Sequence, residues 1–536
     1  MPPPPDHAAP NFELPANLKP AGPSGTEILT RERARASFST DELSLYLFGQ
    51  HALDTQKRII GILESEPILD KRSIYYLGRT ELFRWALRKD KRLQQLQKEH
   101  NWSREELALA EAYTDVPGPL GLHRGMFITT LMNMATEEQQ KLFLEPALDN
   151  KIIGCYAQTE LAHGSNVQGL ETTATWIEAD KEFEIHSPTL TASKWWIGGL
   201  GRSADHAILM AQLIVDGKRK GPHPFIVPIR DVKSREILPG RLIGDIGAKA
   251  GYQATDNGFM LFDHVRVPHH SMLAKLAKLD PETGLYTPPA NPALNYGTLS
   301  WVRATIVQQA SKVHMRAVTI ATRYCAIRRQ FADRDHPLYE ANGKPLETPV
   351  LDYTMVQIRL FPILARAFAF HYTAKFMFEL YDRNQANVQK GDLSLLADMH
   401  ALSSGLKSYT SIASAEAIEE CRRACGGHGF SLAAGLPTFY ANYLPTVTWE
   451  GDSYMLTQQT ARYLFKTMRA IKATKGPSTK EQDNLTADRR RRLPRLWLYR
   501  SRAVRPPASR GAEDAGRASA NCNGSGLTAS PSQITC

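Results

Sequence analysis

The chain has 536 residues, 65 Lys+Arg against 55 Asp+Glu for a formal net charge of +10, and 42% hydrophobic with 22% charged residues. That length suits about three or four domains around a large core and excludes a small stapled protein; the composition excludes wholesale disorder and a membrane bundle. The charge is uneven: ten Arg, no Lys and three acidic residues lie between Leu485 and Cys536, so seven of the ten net charges sit there and the residues before Leu485 carry only +3.

In chain order, residues 1–24 are rich in Pro, Ala and Gly and read as a disordered lead-in. From 25 to 150 apolar residues recur at spacings of three and four, notably over Thr40–Gly49, Arg72–Lys89 and Met126–Phe143, and Ser103 with Glu106 marks a capping-box start. This predicts an N-terminal α-helical domain. Between 151 and 280 short β-branched or aromatic runs take over: Glu171–Ile177, Glu182–Ser187, His206–Val215, Phe225–Ile229 and Gly258–Val267, punctuated by Asp216-Gly217 and Asn257-Gly258. They predict a central β-domain. After a Pro-rich connector, residues 281–475 carry four long amphipathic helices, about Leu299–Ile327, Leu351–Tyr381, Leu393–Ala424 and Tyr454–Lys472, as expected of a helical bundle. In the last, Ala461, Leu464, Phe465 and Met468 mark one apolar face. The fold class is therefore α+β, helices then strands then a bundle, and 476–536 reads as a disordered Arg-rich tail.

No secretory signal, long apolar span or disulfide pattern is present in these residues, and the six scattered cysteines fit a soluble, intracellular protein. The usual glycine-rich dinucleotide, P-loop, zinc-protease and Cys-x-x-Cys patterns are missing too. Cys421, Cys425 and His428 lack a fourth ligand, so no metal is expected.

Four separated stretches carry more particular chemistry: CYAQTELAHG from Cys155 to Gly164, KWWIGGLG from Lys194 to Gly201, RRQF from Arg328 to Phe331, and CGGHGF from Cys425 to Phe430 followed by TWEGD from Thr448 to Asp452. Together with GYQATDNGFMLFDHVRVP from Gly251 to Pro268, and in this order, roughly residues 25–475 resemble the acyl-CoA oxidase branch of the acyl-CoA dehydrogenase superfamily. The resemblance implies that fold, with FAD at the junction of β-domain and bundle. It also implies oxidation of a fatty acyl-CoA to the trans-2-enoyl-CoA, with molecular oxygen leaving as hydrogen peroxide. A peroxisomal homodimer with FAD at the subunit interface is implied as well, with no membrane partner.

Such a reaction needs a base for an α-proton, a stabiliser for the thioester oxygen and a dry pocket. By resemblance Glu450 is the proton acceptor; a carboxylate needs burial to become an adequate base, and Val447, Trp449 and Tyr454 are apolar neighbours suited to that. By the residues alone, Glu450 reads first as a charge at a helix N-terminus, and it is the motif that makes it a base. The Glu450 backbone N–H and a flavin ribityl hydroxyl are implied to hold the thioester oxygen. Thr159 and Gly198 are implied flavin residues, with Trp195 and Trp196 either on the ring or in the core. Arg328, Gln330 and Phe331 are implied to reach the FAD diphosphate and adenine across the dimer, where a planar guanidinium suits two oxygens at once; as residues they also read as a solvated helix end. Gly426 and Gly427 would open backbone N–H groups to the same half of FAD. Arg423 stands where dehydrogenases of the superfamily carry Gln, and Arg303 is assigned to the substrate pocket.

Two alternatives stay open: a dehydrogenase that passes electrons to a flavoprotein, and a nucleic-acid-associated or inactive member of the same fold, for which the Arg-rich tail is the sole support and nucleic acid an unlikely partner. The tail lacks both helical periodicity and the family's Ser-Lys-Leu-like ending, and is read as frame-shifted or intron-derived sequence replacing a second C-terminal helical domain.

Overall fold

The computed structural model describes residues 15–18, 22–71, 74–289, 297–339 and 343–473; the Arg-rich tail and most of the lead-in lie outside the described residues. Helices come first: α1 (Gly25–Ala34), α2 (Thr40–Phe48), α3 (Gln50–Glu64), α4 (Arg79–Glu99), α5 (Arg104–Tyr113), α6 (Ile128–Met134), α7 (Glu137–Gln139) and α8 (Glu145–Leu148). The expected capping box opens α5, with Ser103 and Glu106 exchanging side-chain to backbone hydrogen bonds. Two expected helices differ. α4 begins only after Gly78, and the Met126–Phe143 stretch breaks where Ala135 turns extended and Thr136 caps a new helix with Gln139.

Strands follow: β1 (Gly154–Ala157), β2 (Thr173–Ile177), β3 (Glu182–His186), β4 (Lys194–Ile197), β5 (His206–Val215), β6 (Lys218–Pro228), β7 (Arg241–Asp245), β8 (Gly258–Phe262) and β9 (Val265–Pro268), with the short pair β10 (Lys278–Leu279) and β11 (Tyr286–Thr287). β1 and β2 pair in parallel with successive halves of β5, whose other edge takes β6 antiparallel through the Asp216-Gly217 turn. Both turn residues have positive φ, 51° and 67°, the conformation a two-residue hairpin of this kind needs. β3 joins β2 to β9, and β4, β8 and β7 make a second antiparallel sheet. The expected Gly258–Val267 strand is two strands, because His264 enters left-handed backbone at φ 48°. Phe183, Ile185, Leu209, Leu213, Phe225 and Met260 fill the core between them.

The bundle is α9 (Gly297–Ile327), α10 (Thr354–Gln389), α11 (Leu396–Ala424), the short α12 (Leu436–Tyr443) and α13 (Ser453–Ala473), with β12 (Arg329–Ala332) and β13 (Glu347–Pro349) paired between α9 and α10. α9 lies against both α10 and α11, and its fully buried Ala310, Ala317 and Ala321 let the backbones approach. Contacts group Met1–Tyr463 as one unit, which holds everything below, and Leu464–Cys536 as another, of which only Leu464–Ala473 is described. The stripe expected on α13 is helical, yet Phe465 and Met468 are exposed. No helix among the described residues is long and apolar enough to cross a membrane.

Candidate active site

The TWEGD stretch forms the turn before α13, where Tyr252 of the GYQATDN stretch packs on it. A short 3-10 segment, Leu444–Val447, delivers the chain to Glu450 and Gly451, both in left-handed backbone at φ 58° and 107°. Glycine accepts that conformation freely, while a glutamate there is strained, and such strain persists only where its surroundings impose it. The surroundings are α9 and α11. Arg303 of α9 donates from Nε to the Glu450 carbonyl at 3.0 Å and from Nη1 to Ser404 Oγ of α11 at 3.3 Å. Lys407 of α11 donates to the Gly451 carbonyl at 2.7 Å, and Ser408 to the Ser453 carbonyl at 3.0 Å.

Within this frame the Glu450 residue is only partly covered, but its Oε2 is withdrawn from solvent and has no hydrogen-bond partner among the described residues. Burial raises its pKa, against the pull of the Arg303 and Lys407 cations. Trp449 meets Tyr252 edge to face at 5.1 Å, so part of the expected cover is present; Tyr454, at 80% exposure, supplies none. Thr448 and Trp449 N–H both donate to the Pro445 carbonyl, whereas the Glu450 N–H has no acceptor among the described residues. Arg303, assigned from sequence to a substrate pocket, is 6% exposed and has its guanidinium on the Glu450–Gly451 turn itself.

The second group lies in the β-domain. Trp195 N–H donates to the Thr159 carbonyl at 3.0 Å, and next to that bond the fully buried Lys194 pairs with Glu160 at 2.9 Å, so the AQTE and KWW stretches are locked side by side. Burial alone would raise Glu160, but the Lys194 cation and the Glu171 and Thr172 amides outweigh it and lower its pKa. The Thr159 side chain is partly exposed and makes no hydrogen bond among the described residues. Trp195 stacks on Phe259 at 5.3 Å. Trp196 instead is 57% exposed in left-handed backbone at φ 70°, with Asn257 donating to its carbonyl at 2.7 Å. Gly198 is buried; a Cβ there would come to 3.0 Å from Leu122 Cγ and 3.7 Å from Thr255 Cγ2. The Gly251–Asp256 loop links this group to the first: Asp256 Oδ2 accepts from Arg202 and Ser203 N–H, and Tyr252 N–H donates to Asn442 beside Trp449.

The third group stands at the far end of α9. Tyr324 Oη lies 3.3 Å from His428 Nδ1, which brings the Arg328–Phe331 and Gly426–Phe430 stretches together. Gln330 is held by its carbonyl, which accepts from Tyr353 Oη at 2.7 Å. Arg328 is exposed with no ion pair among the described residues, and Phe331 is 76% exposed at φ 58°. Nothing lies within 4 Å of a Cβ built on Gly426 or Gly427, whereas one on Gly429 would sit 2.0 Å from the Arg422 carbonyl. Cys421 and Cys425 are buried while His428 faces out.

These features fit FAD: a free hydroxyl and an open indole on one side for a flat polar-edged ring, and an unpaired guanidinium beside an open diglycine for a diphosphate. Sequence reasoning gave no role to Lys407, which lies outside the quoted stretches, nor to Tyr252, Glu160 and Lys194, which lie within them.

Residues 39–153 match the family model described as acyl-coenzyme A oxidase N-terminal, and residues 296–465 match the acyl-CoA oxidase C-alpha1 domain. Over 458 residues the chain is 44% identical to peroxisomal acyl-coenzyme A oxidase 1 of Arabidopsis thaliana, covering 84% of this chain and 68% of that protein. The solved structure of Arabidopsis thaliana acyl-CoA oxidase 1 superposes with a TM-score of 0.79 at 44% identity and the same coverage. Caenorhabditis elegans acyl-CoA oxidase-2, solved with FAD, ascaroside-CoA and ATP, superposes at 0.78 with 38% identity, covering 84% of this chain and 68% of that one.

Proposed function

We propose roles for these residues from one premise: the chain belongs to the acyl-CoA oxidase family, FAD-dependent enzymes of peroxisomal fatty-acid β-oxidation that oxidise an acyl-CoA to the trans-2-enoyl-CoA. Glu450 is the base. The observation that carries this is its buried, unpartnered Oε2 on a strained turn held from two helices. A carboxylate so desolvated binds a proton more tightly than one in water, which is what removal of an α-proton from a thioester requires. Oε2 takes that proton. The free Glu450 N–H donates to the thioester oxygen, favouring the enolate-like charge that develops as the proton leaves. Arg303 acts from behind: on the carbonyl of the same residue, it fixes the direction of that N–H and of the side chain.

FAD supplies the acceptor for the β-hydride. Thr159, Gly198 and Trp196 would hold its ring, and Arg328, Gln330, Phe331, Gly426 and Gly427 its diphosphate and adenosine half. Of the last five, Arg328, Phe331, Gly426 and Gly427 lie open on this single chain, which supports a homodimer in which they complete the partner's site. Fatty acyl-CoA is the substrate, molecular oxygen the final acceptor, and the peroxisome the location in keeping with the relatives' names. The working division stays 25–150, 151–280 and 281–475.

The test is a panel of saturated acyl-CoAs in air with FAD content measured on the same preparation. One peroxide per enoyl-CoA is expected; enoyl-CoA formed only with an added electron acceptor would contradict the oxidase reading.

A further inference from the structure

Lys407 is a buried charge that the roles above leave unused. Its side chain on α11 is 0% exposed, its ammonium has one hydrogen bond among the described residues, to the Gly451 carbonyl at 2.7 Å, and it forms no ion pair there. An ammonium is strongly hydrated, and taking it out of water without a carboxylate partner is so unfavourable that an apolar residue of similar volume is ordinarily preferred. Its position explains its presence. Along one face of α11, Ser404 meets the Arg303 guanidinium, Lys407 takes the Gly451 carbonyl and Ser408 takes the Ser453 carbonyl, so a single helix face grips the turn that carries the base. Arg303 and Lys407 hold consecutive carbonyls, those of Glu450 and Gly451, the two residues in left-handed backbone.

We propose that Lys407 is a positioning residue for proton transfer: by holding the Gly451 carbonyl it fixes the turn that aims the Glu450 carboxyl, and it sets a cation beside that base. This rests on Glu450 being the base.

The charged groups around the turn are Arg303 from α9, His400 and Lys407 from α11, and Asp452 from the turn itself. Burial and Arg303 lower His400, leaving it neutral near pH 7. Burial pushes Lys407 down to about 8, Arg303 adding to the fall and Glu450 and Asp452 opposing it, so the lysine is still mostly charged at neutral pH. Its charge lowers Glu450; removing it lets the carboxyl rise further, and the acid limb of kcat/KM must move to higher pH.

The test uses FAD-loaded Lys407→Met and Lys407→Gln, with Glu450→Gln as control. Methionine removes both the charge and the hydrogen bond, glutamine the charge alone. The Met variant is expected to lose at least about tenfold in kcat with KM little changed. In both variants the acid limb should move up by about half a pH unit or more, while Gln recovers part of kcat but none of the shift. In FAD-free protein, amide hydrogen exchange over 449–453 should be faster for Met than for wild type. A Met variant that holds FAD, turns over within about twofold of wild type with its acid limb unmoved and exchanges no faster overturns the proposal. So does failure of both variants to hold FAD, which would make the lysine a folding residue. Should Glu450→Gln itself turn over, the base assignment falls, and the exchange rates still report whether Lys407 holds the turn.

Discussion

Replacing Lys194 with methionine removes one half of the buried pair that locks the AQTE stretch to β4. Three hydrogen bonds go with it, to Glu160 Oε1 at 2.9 Å, the Gln158 carbonyl at 3.1 Å and the Met210 carbonyl at 2.7 Å. Glu160 keeps the Glu171 and Thr172 amides, at 2.7 and 3.0 Å, but loses its lysine partner. Breaking a buried pair from one side leaves an uncompensated charge and costs about 3–5 kcal/mol. At about 2.1 cal/mol/K of unfolding entropy per residue, the Met1–Tyr463 unit gains roughly 1 kcal/mol/K on unfolding, so Tm should fall by about 3–5 °C. The pH dependence has a definite sign. The pKa of Glu160 is lowered in the folded wild type, so its contribution is present above the unfolded carboxylate pKa of about 4.3 and is lost as pH falls through the folded value. The variant's deficit should therefore be full at pH 7 and shrink below about pH 4. Adding Glu160→Gln, which removes the charge and keeps an acceptor for one of the two amides, should restore part of Tm. Thermal melts of FAD-free protein measure this, and flavin retained through gel filtration should fall in parallel, because Thr159 and Trp195 flank the pair. A Lys194→Met protein melting within about 1 °C of wild type with full flavin would refute the reasoning.

Three further outcomes follow from the geometry. Arg303→Met, which frees the Glu450 carbonyl, should lower kcat by about a hundredfold with little change in KM, as for a misplaced base; a rise in KM alone would return the arginine to the substrate pocket. Gly429→Ala drives a Cβ to 2.0 Å from the Arg422 carbonyl and should abolish flavin retention, while Gly426→Ala meets no atom within 4 Å and should cost only the backbone strain of φ 58°, about 1–2 kcal/mol by thermal melt. The kcat/KM profile should lose activity on its acid side above the ordinary Glu range of about 4.3, because a protonated Glu450 cannot accept a proton and its pKa is raised; an acid limb at or below that value contradicts the burial argument.

Much of this architecture is legible from residue pattern, for reasons visible at particular positions. The Ser103–Glu106 box and the Asp216-Gly217 turn act through their own side chains and backbone, so they hold wherever the rest of the chain goes. The long bundle helices repeat their apolar spacing often enough to outweigh local noise, and α9, α11 and α13 begin and end within a few residues of expectation. β1 and β4, four residues each, are too short to show alternation, β7 carries a single β-branched residue, and Thr136 interrupts an otherwise continuous helical pattern by capping. In the site, motif residues could be found because they are held in common with a known family. Lys407 could not, and Lys194, though it opens the KWWIGGLG stretch, gave no hint of its partner: a lysine in a helix or strand reads as solvated surface, and only the folded chain brings the Gly451 carbonyl to the one and Glu160 to the other.

The central claim, that Glu450 is the base of an FAD-dependent acyl-CoA oxidase, is tested most directly by the turnover of FAD-loaded Glu450→Gln. The substitution keeps size and shape and removes only the ability to take a proton. The account predicts wild-type flavin content and binding of acyl-CoA with peroxide formation reduced by at least about a thousandfold. A flavin-replete Glu450→Gln protein that still produces peroxide within about tenfold of wild type would contradict it.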